Sequence, residues 1–265
     1  LFSPNDIKLT STAGSLLNAN GDLLINILGK NVVLNAAAGT IGATGGLNAI
    51  NVGNSAGGGV TTNALGLVNL YGPSGYQLVI KSVASAADVL VTAALDVTVD
   101  GTVSSAGHVE FDVAGLLSLT ANSRIDSTAN AVDVNTSFGS LPANSRLSMA
   151  AGSRISGATG VTLVTGGAAT LATLLAANGN IAVTAGGAIG VLANEQLTAS
   201  AGGASLNGAS LAMTAGSQVA ALLDIDVVTT GDAWATTLAS TRGHVSVNAG
   251  GNAAVIDRRT GQERA

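Results

Sequence analysis

The chain predicts an all-β fold, a β-solenoid of about a dozen coils with a protruding β-hairpin. The first observation is the stretch 160–187, GVTLVTGGAATLATLLAANGNIAVTAGG. In it a short alternating run (Val161 and Leu163, then Ile181 and Val183) rises to a small polar residue and breaks at a glycine pair. The two copies lie about twenty residues apart, the length of one supersecondary unit that cannot bury its apolar face alone and must stack on its neighbours. The second observation is a cadence that closes several strand-like runs. It reads Leu119-Thr120-Ala121-Asn122-Ser123, Met149-Ala150-Ala151-Gly152-Ser153, Met213-Thr214-Ala215-Gly216-Ser217 and Val247-Asn248-Ala249-Gly250-Gly251. The third is composition. Apolar residues make up 47% of the 265, but aromatics only 2% and charged residues 9%, against about 25% charged in an average soluble domain. Disorder needs poor hydrophobicity and strong self-repulsion, and neither is present. A rounded enzyme domain would carry more surface charge, whereas a solenoid clothes each coil in Thr, Ser, Asn and Gly.

Along the chain, Ile7-Lys8-Leu9 opens an alternating segment, and Leu23 to Leu28 and Val32 to Leu34 repeat it. The breaks at Asn20-Gly21, Gly29-Lys30-Asn31 and Gly39 use residues that accept the positive φ a corner requires. The glycine-rich stretch 42–59 predicts a loop-bearing coil. Leu65 to Tyr71 and Tyr76 to Val83, joined by Gly72-Pro73-Ser74-Gly75, predict the hairpin, standing off the body. Strand-like runs then follow closely from Val89–Val91 to Val245–Val247. Two stretches, 83–95 and 168–177, are rich enough in Ala and Leu to have helix as an alternative. With rungs roughly 4.8 Å apart, a dozen coils would make a rod on the order of 60 Å long.

The repeat region is expected over 1–254. At 255–265 the composition shifts to Ile256-Asp257-Arg258-Arg259 and beyond, a charged tail or the start of another region. Leu1 is not an initiating Met and residues 1–20 lack a signal-peptide pattern, so the chain is expected to be an internal piece of a longer polypeptide. The run between Arg154 and Glu195 holds no charge, but its glycine pairs and period of two argue against a membrane-spanning helix.

A net charge of −5 with only 10 Lys and Arg disfavours nucleic acid, which needs a basic stripe against its phosphates. The chain has no Cys, so neither disulfides nor thiolate metal sites are expected. Phosphate-loop, dinucleotide and calcium-repeat frames are missing, and no cofactor is expected. Ladders of Thr-x-Thr, as an ice-binding solenoid would show, are limited to Thr10-Ser11-Thr12.

The cadences VTLVTGG, IAVTAGG, LAMTAGS and VSVNAGG resemble the filamentous haemagglutinin-type β-helix repeats of large bacterial adhesins exported by two-partner secretion. The resemblance covers the chain from about Ile7 to Ala254. It implies a right-handed parallel β-helix, a Gram-negative source, and passage unfolded through an outer-membrane secretion transporter to the cell surface or the medium. The Asn-Pro-Asn type motifs of that family's secretion region are absent, Ser3-Pro4-Asn5 being the nearest approach.

Several constellations invite chemistry. Gly53-Asn54-Ser55-Ala56-Gly57 has the form of a nucleophile elbow, and Asp224 or Asp226 followed by His244 completes the order Ser, Asp, His. The elbow must open a helix, however, and Gly58-Gly59-Val60-Thr61-Thr62 follows. His108, Glu110 and Asp112 alternate with apolar residues on one outward strand face, which would suit a divalent metal or a sugar but reads more simply as a solvated face. The pairs Asp96/Asp100 and Asp224/Asp226 invite comparison with β-helix polysaccharide hydrolases and lyases, yet Trp234 is the chain's single Trp. Tyr71 and Tyr76, flanking the expected hairpin turn, are the best binding candidates, since exposed Tyr offers flat amphipathic contact area. The sequence therefore predicts a non-enzymatic structural and adhesive segment of a secreted filamentous adhesin. Its expected partners are a host-cell receptor or glycan, the secretion transporter, and other copies joined end to end. The rivals are a carbohydrate-active β-helix enzyme and the stalk of a secreted toxin or ligand-binding exoprotein.

Overall fold

The computed structural model describes residues 1–19, 24–137 and 145–260. The Asn20-Gly21 break and the last five residues of the expected tail lie outside them. Among the described residues, twenty-six strands join through parallel ladders into one sheet that winds through about 11 turns. One turn carries Gly160 to Asn180 and Ile225 to Val245, a repeat of twenty residues. At roughly 4.8 Å per rung the stack is about 50 Å long.

A full coil has three faces. In the coil 188–208 they are the strands Ala188–Val191, Gln196–Ala199 and Ala204–Gly208, here called the first, second and third face. Each strand pairs with its counterparts one coil below and one coil above, so both of its edges are satisfied. Alternation with a period of two then sends every second side chain inward. On the third face the inward positions stack like on like, Val68–Val89–Val109–Val132–Val161–Ile181–Ala204–Ile225–Val245. These small aliphatic rows fuse into one continuous core, with Phe111 fully buried as its largest side chain.

Helix is displaced from both stretches where composition allowed it. Residues 83–95 fall in the strands Leu78–Ser85 and Val89–Ala93, and residues 168–177 in Ala169–Leu171 and Thr173–Ala176. A ladder partner on each side outweighs the few tenths of a kcal/mol of helix propensity per Ala or Leu. Among the described residues the one helical element is the single 3-10 turn Gly46–Asn48, and no helix is long and apolar enough to cross a membrane.

The hairpin is a correction. Val68–Gly72 pairs with Ile50–Ala64 and Val89–Ala93, while Leu78–Ser85 pairs with Ile50–Ala64 and Val97–Ser105, in every case in parallel. The Pro73-Ser74-Gly75 turn, with Gly75 at φ 87°, carries the chain around the corner from a third face to the next first face. Its residues are those of a hairpin turn because both structures demand a tight reversal. The corner wins because parallel partners fill both edges of each strand. The ladder also runs past 254: Ala253–Thr260 adds to Ala233–Ser240, so the body takes in residues expected to form a tail.

The repeated cadence is the corner between first and second faces. In the turns 120–123, 150–153 and 214–217 the Ser N–H and Oγ both donate to the carbonyl three residues back, with Ser123, Ser153 and Ser217 at most 1% exposed. The residue before each Ser takes positive φ: 64° at Asn122, 77° at Gly152 and 78° at Gly216. Val247–Gly251 belongs to another corner, after a third face. The fourth member of the series is 192–195, where Asn194 has φ 61° and Glu195 stands in the Ser position.

The coil 169–185 omits this turn and runs directly through Leu171-Ala172-Thr173. Glu195, 9% exposed, fills the gap: its Oε1 accepts the Gly152 N–H at 2.8 Å from two coils below, and its Oε2 accepts the Thr173 hydroxyl of the intervening coil at 2.6 Å. The other corners use a different device. The carboxyl Oδ1 atoms of Asp88, Asp96, Asp224 and Asp232 accept the N–H groups of His108, Leu116, His244 and Asn252, each one coil on, at 2.7–2.8 Å. The residue before each donor is Gly107, Gly115, Gly243 or Gly251, where a Cβ would sit only 2.2–2.3 Å from that carboxyl oxygen. Part of the chain's glycine is thus explained as the space into which an Asp of the preceding coil fits.

Candidate functional site

The corner that replaces the hairpin leads to a hollow on the surface. Asn54, 2% exposed, pins this corner from the coil below. Its N–H donates to the Gln77 carbonyl at 3.0 Å, and its Oδ1 accepts the Val79 N–H at 2.7 Å. Gly53 permits the approach, since a Cβ there would lie 2.8 Å from that of Tyr76. One coil on, Leu95 and Asp96 form the facing wall. The groove holds about 400 Å³ between the segment 75–79 and Leu95, Asp96 and Thr98.

Its lining mixes flat apolar surface with polar groups that lack protein partners. Tyr76 is 38% and Leu95 40% exposed. Asp96 Oδ1 is taken by the Leu116 N–H at 2.7 Å. Among the described residues no hydrogen bond engages Asp96 Oδ2, the Tyr76 hydroxyl, the Gln77 amide or the Thr98 hydroxyl. Lys81, the nearest base along the chain, is held by Asp100, whose other oxygen accepts the Thr120 hydroxyl at 2.7 Å. Those two partners hold the Asp100 carboxyl below its ordinary range.

The two tyrosines are separated. Tyr71 stands on the third face between Asn51 and Thr92, and only Tyr76 lines the groove. Leu95 and Thr98 are not legible beside Tyr76 along the chain, whereas Gln77 is its immediate neighbour and was passed over. A lag of one coil was the available signal, since nineteen positions lead from Tyr76 to Leu95.

The other candidates disperse. Ser55 lies on an exposed bulge inside the strand Ile50–Ala64, which continues as strand and opens no helix. Asp224 and His244 lie seven and eight coils away, roughly 35 Å. Asp224 does meet His244, but through the backbone N–H at 2.7 Å. Asp226 lies on the third face between Ser205 and Ser246. His108 Nε2 is 3.4 Å from Asp133 Oδ2, and Asp133 is paired in register with Glu110. Burial pushes Glu110 up, with Asp112 and Asp133 adding to it against His108; burial likewise pushes Asp112 up, opposed by a hydrogen bond from Asn135. Among the described residues no three His, Cys, Asp or Glu side chains converge as a metal site.

Fold and groove together define the class: a parallel β-helix with a small lateral groove at one corner. Compared with family models, with curated proteins and with solved structures, the chain matches none of them.

Proposed function

We propose that this chain is a structural and adhesive segment of a secreted, surface-exposed filamentous bacterial protein of the haemagglutinin-like type. The observation that carries the reading is the unbroken parallel ladder, in which about 11 turns share one aliphatic core and present flat, charge-poor faces. Such a stack supplies length and rigidity, because each coil is held by its nearest neighbours. The lack of Cys suits passage unfolded through an outer-membrane transporter, after which coil would add to coil. Of the carboxyls that would serve a polysaccharide hydrolase, Asp96 and Asp224 each accept a backbone N–H and Asp100 pairs with Lys81, which favours scaffold over catalysis. At the two ends, Ile7–Ser11 pairs only with Ile27–Ala36, and Ala253–Thr260 only with Ala233–Ser240, among the described residues. Adjoining coils or a second copy would continue the ladder there.

The test is surface display and attachment. Antibodies against the chain should label intact source cells, and the purified chain should bind host cells saturably and compete with bacterial attachment. Depolymerisation of a polysaccharide by the purified chain, or absence of surface labelling, would overturn the reading.

A further inference from the structure

We infer that the groove beside Tyr76 binds a neutral saccharide of one or two rings, with a sugar face against Tyr76 and Leu95 and hydroxyls held by Gln77, Asp96 and Thr98. The inference rests on the adhesive reading and gives it a ligand class. Size is the first argument: about 400 Å³ lies at the small end of ligand sites, which run roughly from 300 to 1,000 Å³. The second is the mixture of surfaces. Tyr76 and Leu95 are both more than a third exposed in a chain that holds only 2 Tyr and 1 Trp. A sugar ring has one face of C–H groups and a rim of hydroxyls, and it meets an aromatic flank and scattered polar atoms together. A purely apolar ligand would strip water from the Tyr76, Gln77, Asp96 and Thr98 polar groups without replacing it.

Charge narrows the class. Asp96 is the one ionisable acid in the lining and no Lys or Arg faces it, while Lys81 is committed to Asp100. Sialylated and sulfated glycans would meet a carboxylate without a compensating cation. Backbone geometry argues against an extended peptide. Leu78–Ser85 is paired along both edges, with Ile50–Ala64 and with Val97–Ser105, so the groove offers no strand edge for a peptide to join. Asn54 already holds the Val79 N–H and meets the Gln77 carbonyl. What remains open to a ligand is side-chain hydroxyl, amide and carboxyl, the set that recognises hydroxyls.

The experiment titrates the full chain by calorimetry with lactose, cellobiose and diacetylchitobiose, against 3′-sialyllactose and a heparin tetrasaccharide, alongside host-cell binding. The expected result is binding of at least one neutral sugar and of neither anionic one. Tyr76→Ala should weaken it by at least about tenfold, whereas Tyr76→Phe should keep it within about threefold. Thr98→Val should weaken it, and Tyr71→Ala should leave it unchanged. Circular dichroism and urea midpoints establish that each variant is folded. Preference for the anionic glycans, or neutral-sugar binding indifferent to Tyr76→Ala, overturns the inference. Host-cell binding that persists without any neutral-sugar binding, or that survives deglycosylation of the cells, overturns the inference and leaves the adhesive reading standing. Loss of both kinds of binding overturns the two together.

Discussion

The carboxyl of Glu195 accepts the N–H of Gly152 at 2.8 Å across 43 positions of sequence, bypassing the coil between them. That coil has no turn at this corner, so without Glu195 the Gly152 N–H and the Thr173 hydroxyl would have no acceptor there. Gly152 is exposed and Thr173 half-buried, so water replaces part of what is lost and each bond contributes about 0.5–1.5 kcal/mol net. Glu195→Ala should therefore lower stability by about 1–3 kcal/mol, read as a fall in urea midpoint, with faster amide exchange at Gly152. Glu195→Gln keeps one acceptor oxygen and should lose less.

The Asp–Gly contacts between successive coils predict a coupled pair. Gly251→Ala places a methyl 2.3 Å from Asp232 Oδ1, with neighbouring backbone atoms no closer than 3.1 Å. It should destabilise by about 1–3 kcal/mol, and Asp232→Ala in the same chain should recover part of that loss. A thermal-melt double-mutant cycle measures the coupling. Gly190→Ala is the contrast, since nothing lies within 4 Å of its added Cβ. It should be neutral or raise stability by up to about 1 kcal/mol, through the unfolded chain.

Thr62 is 1% exposed in an inward row between Leu34 and Val83, and its hydroxyl finds no partner among the described residues. Thr62→Val keeps the shape and removes the orphaned polar atom. Stability should rise by about 1 kcal/mol, seen as a higher urea midpoint with an unchanged slope.

Glu110 and Asp112 are raised mainly by burial on the third face. A raised carboxyl binds its proton more tightly in the folded state, so its contribution is full below the ordinary carboxyl range near about 4. It is lost as pH rises through the folded value. Glu110→Gln with Asp112→Asn should thus raise the melting temperature near neutral pH and have less effect in acid. Asp100, lowered by Lys81 and Thr120, has the opposite sign. Its contribution is present above the ordinary range and is lost as pH falls through its folded value. Asp100→Asn should lower the melting temperature slightly at neutral pH, the pair being exposed, and leave it unchanged in acid.

The solenoid was legible because its two determinants are local. Alternation such as Val161/Leu163 marks a half-buried strand, and the recurring Asn-Ser or Gly-Ser pair marks a corner with a positive-φ residue before a buried Ser. The Tyr71–Tyr76 hairpin was misread because Pro73-Ser74-Gly75 specifies a reversal and not the partner on either side of it. Pairing is decided about twenty residues away, as Leu70 beside Val91 shows. The groove was half legible for the same reason: Tyr76 announces itself, while Leu95 and Thr98 join it only once the coil length is known. Glu195 looked like the first charge after a neutral run, and its role depends on three residues missing from the coil below.

Solenoids can lengthen or shorten by gaining or losing whole coils, since one rung resembles the next. The link from Gly152 to Glu195 forbids that edit at one place. Deleting the coil between them would bring Glu195 a rung too near, and duplicating it would carry Glu195 out of reach. These three coils therefore act as one unit: removing or doubling the middle one should cost stability, whereas the same edit elsewhere along the stack should be better tolerated.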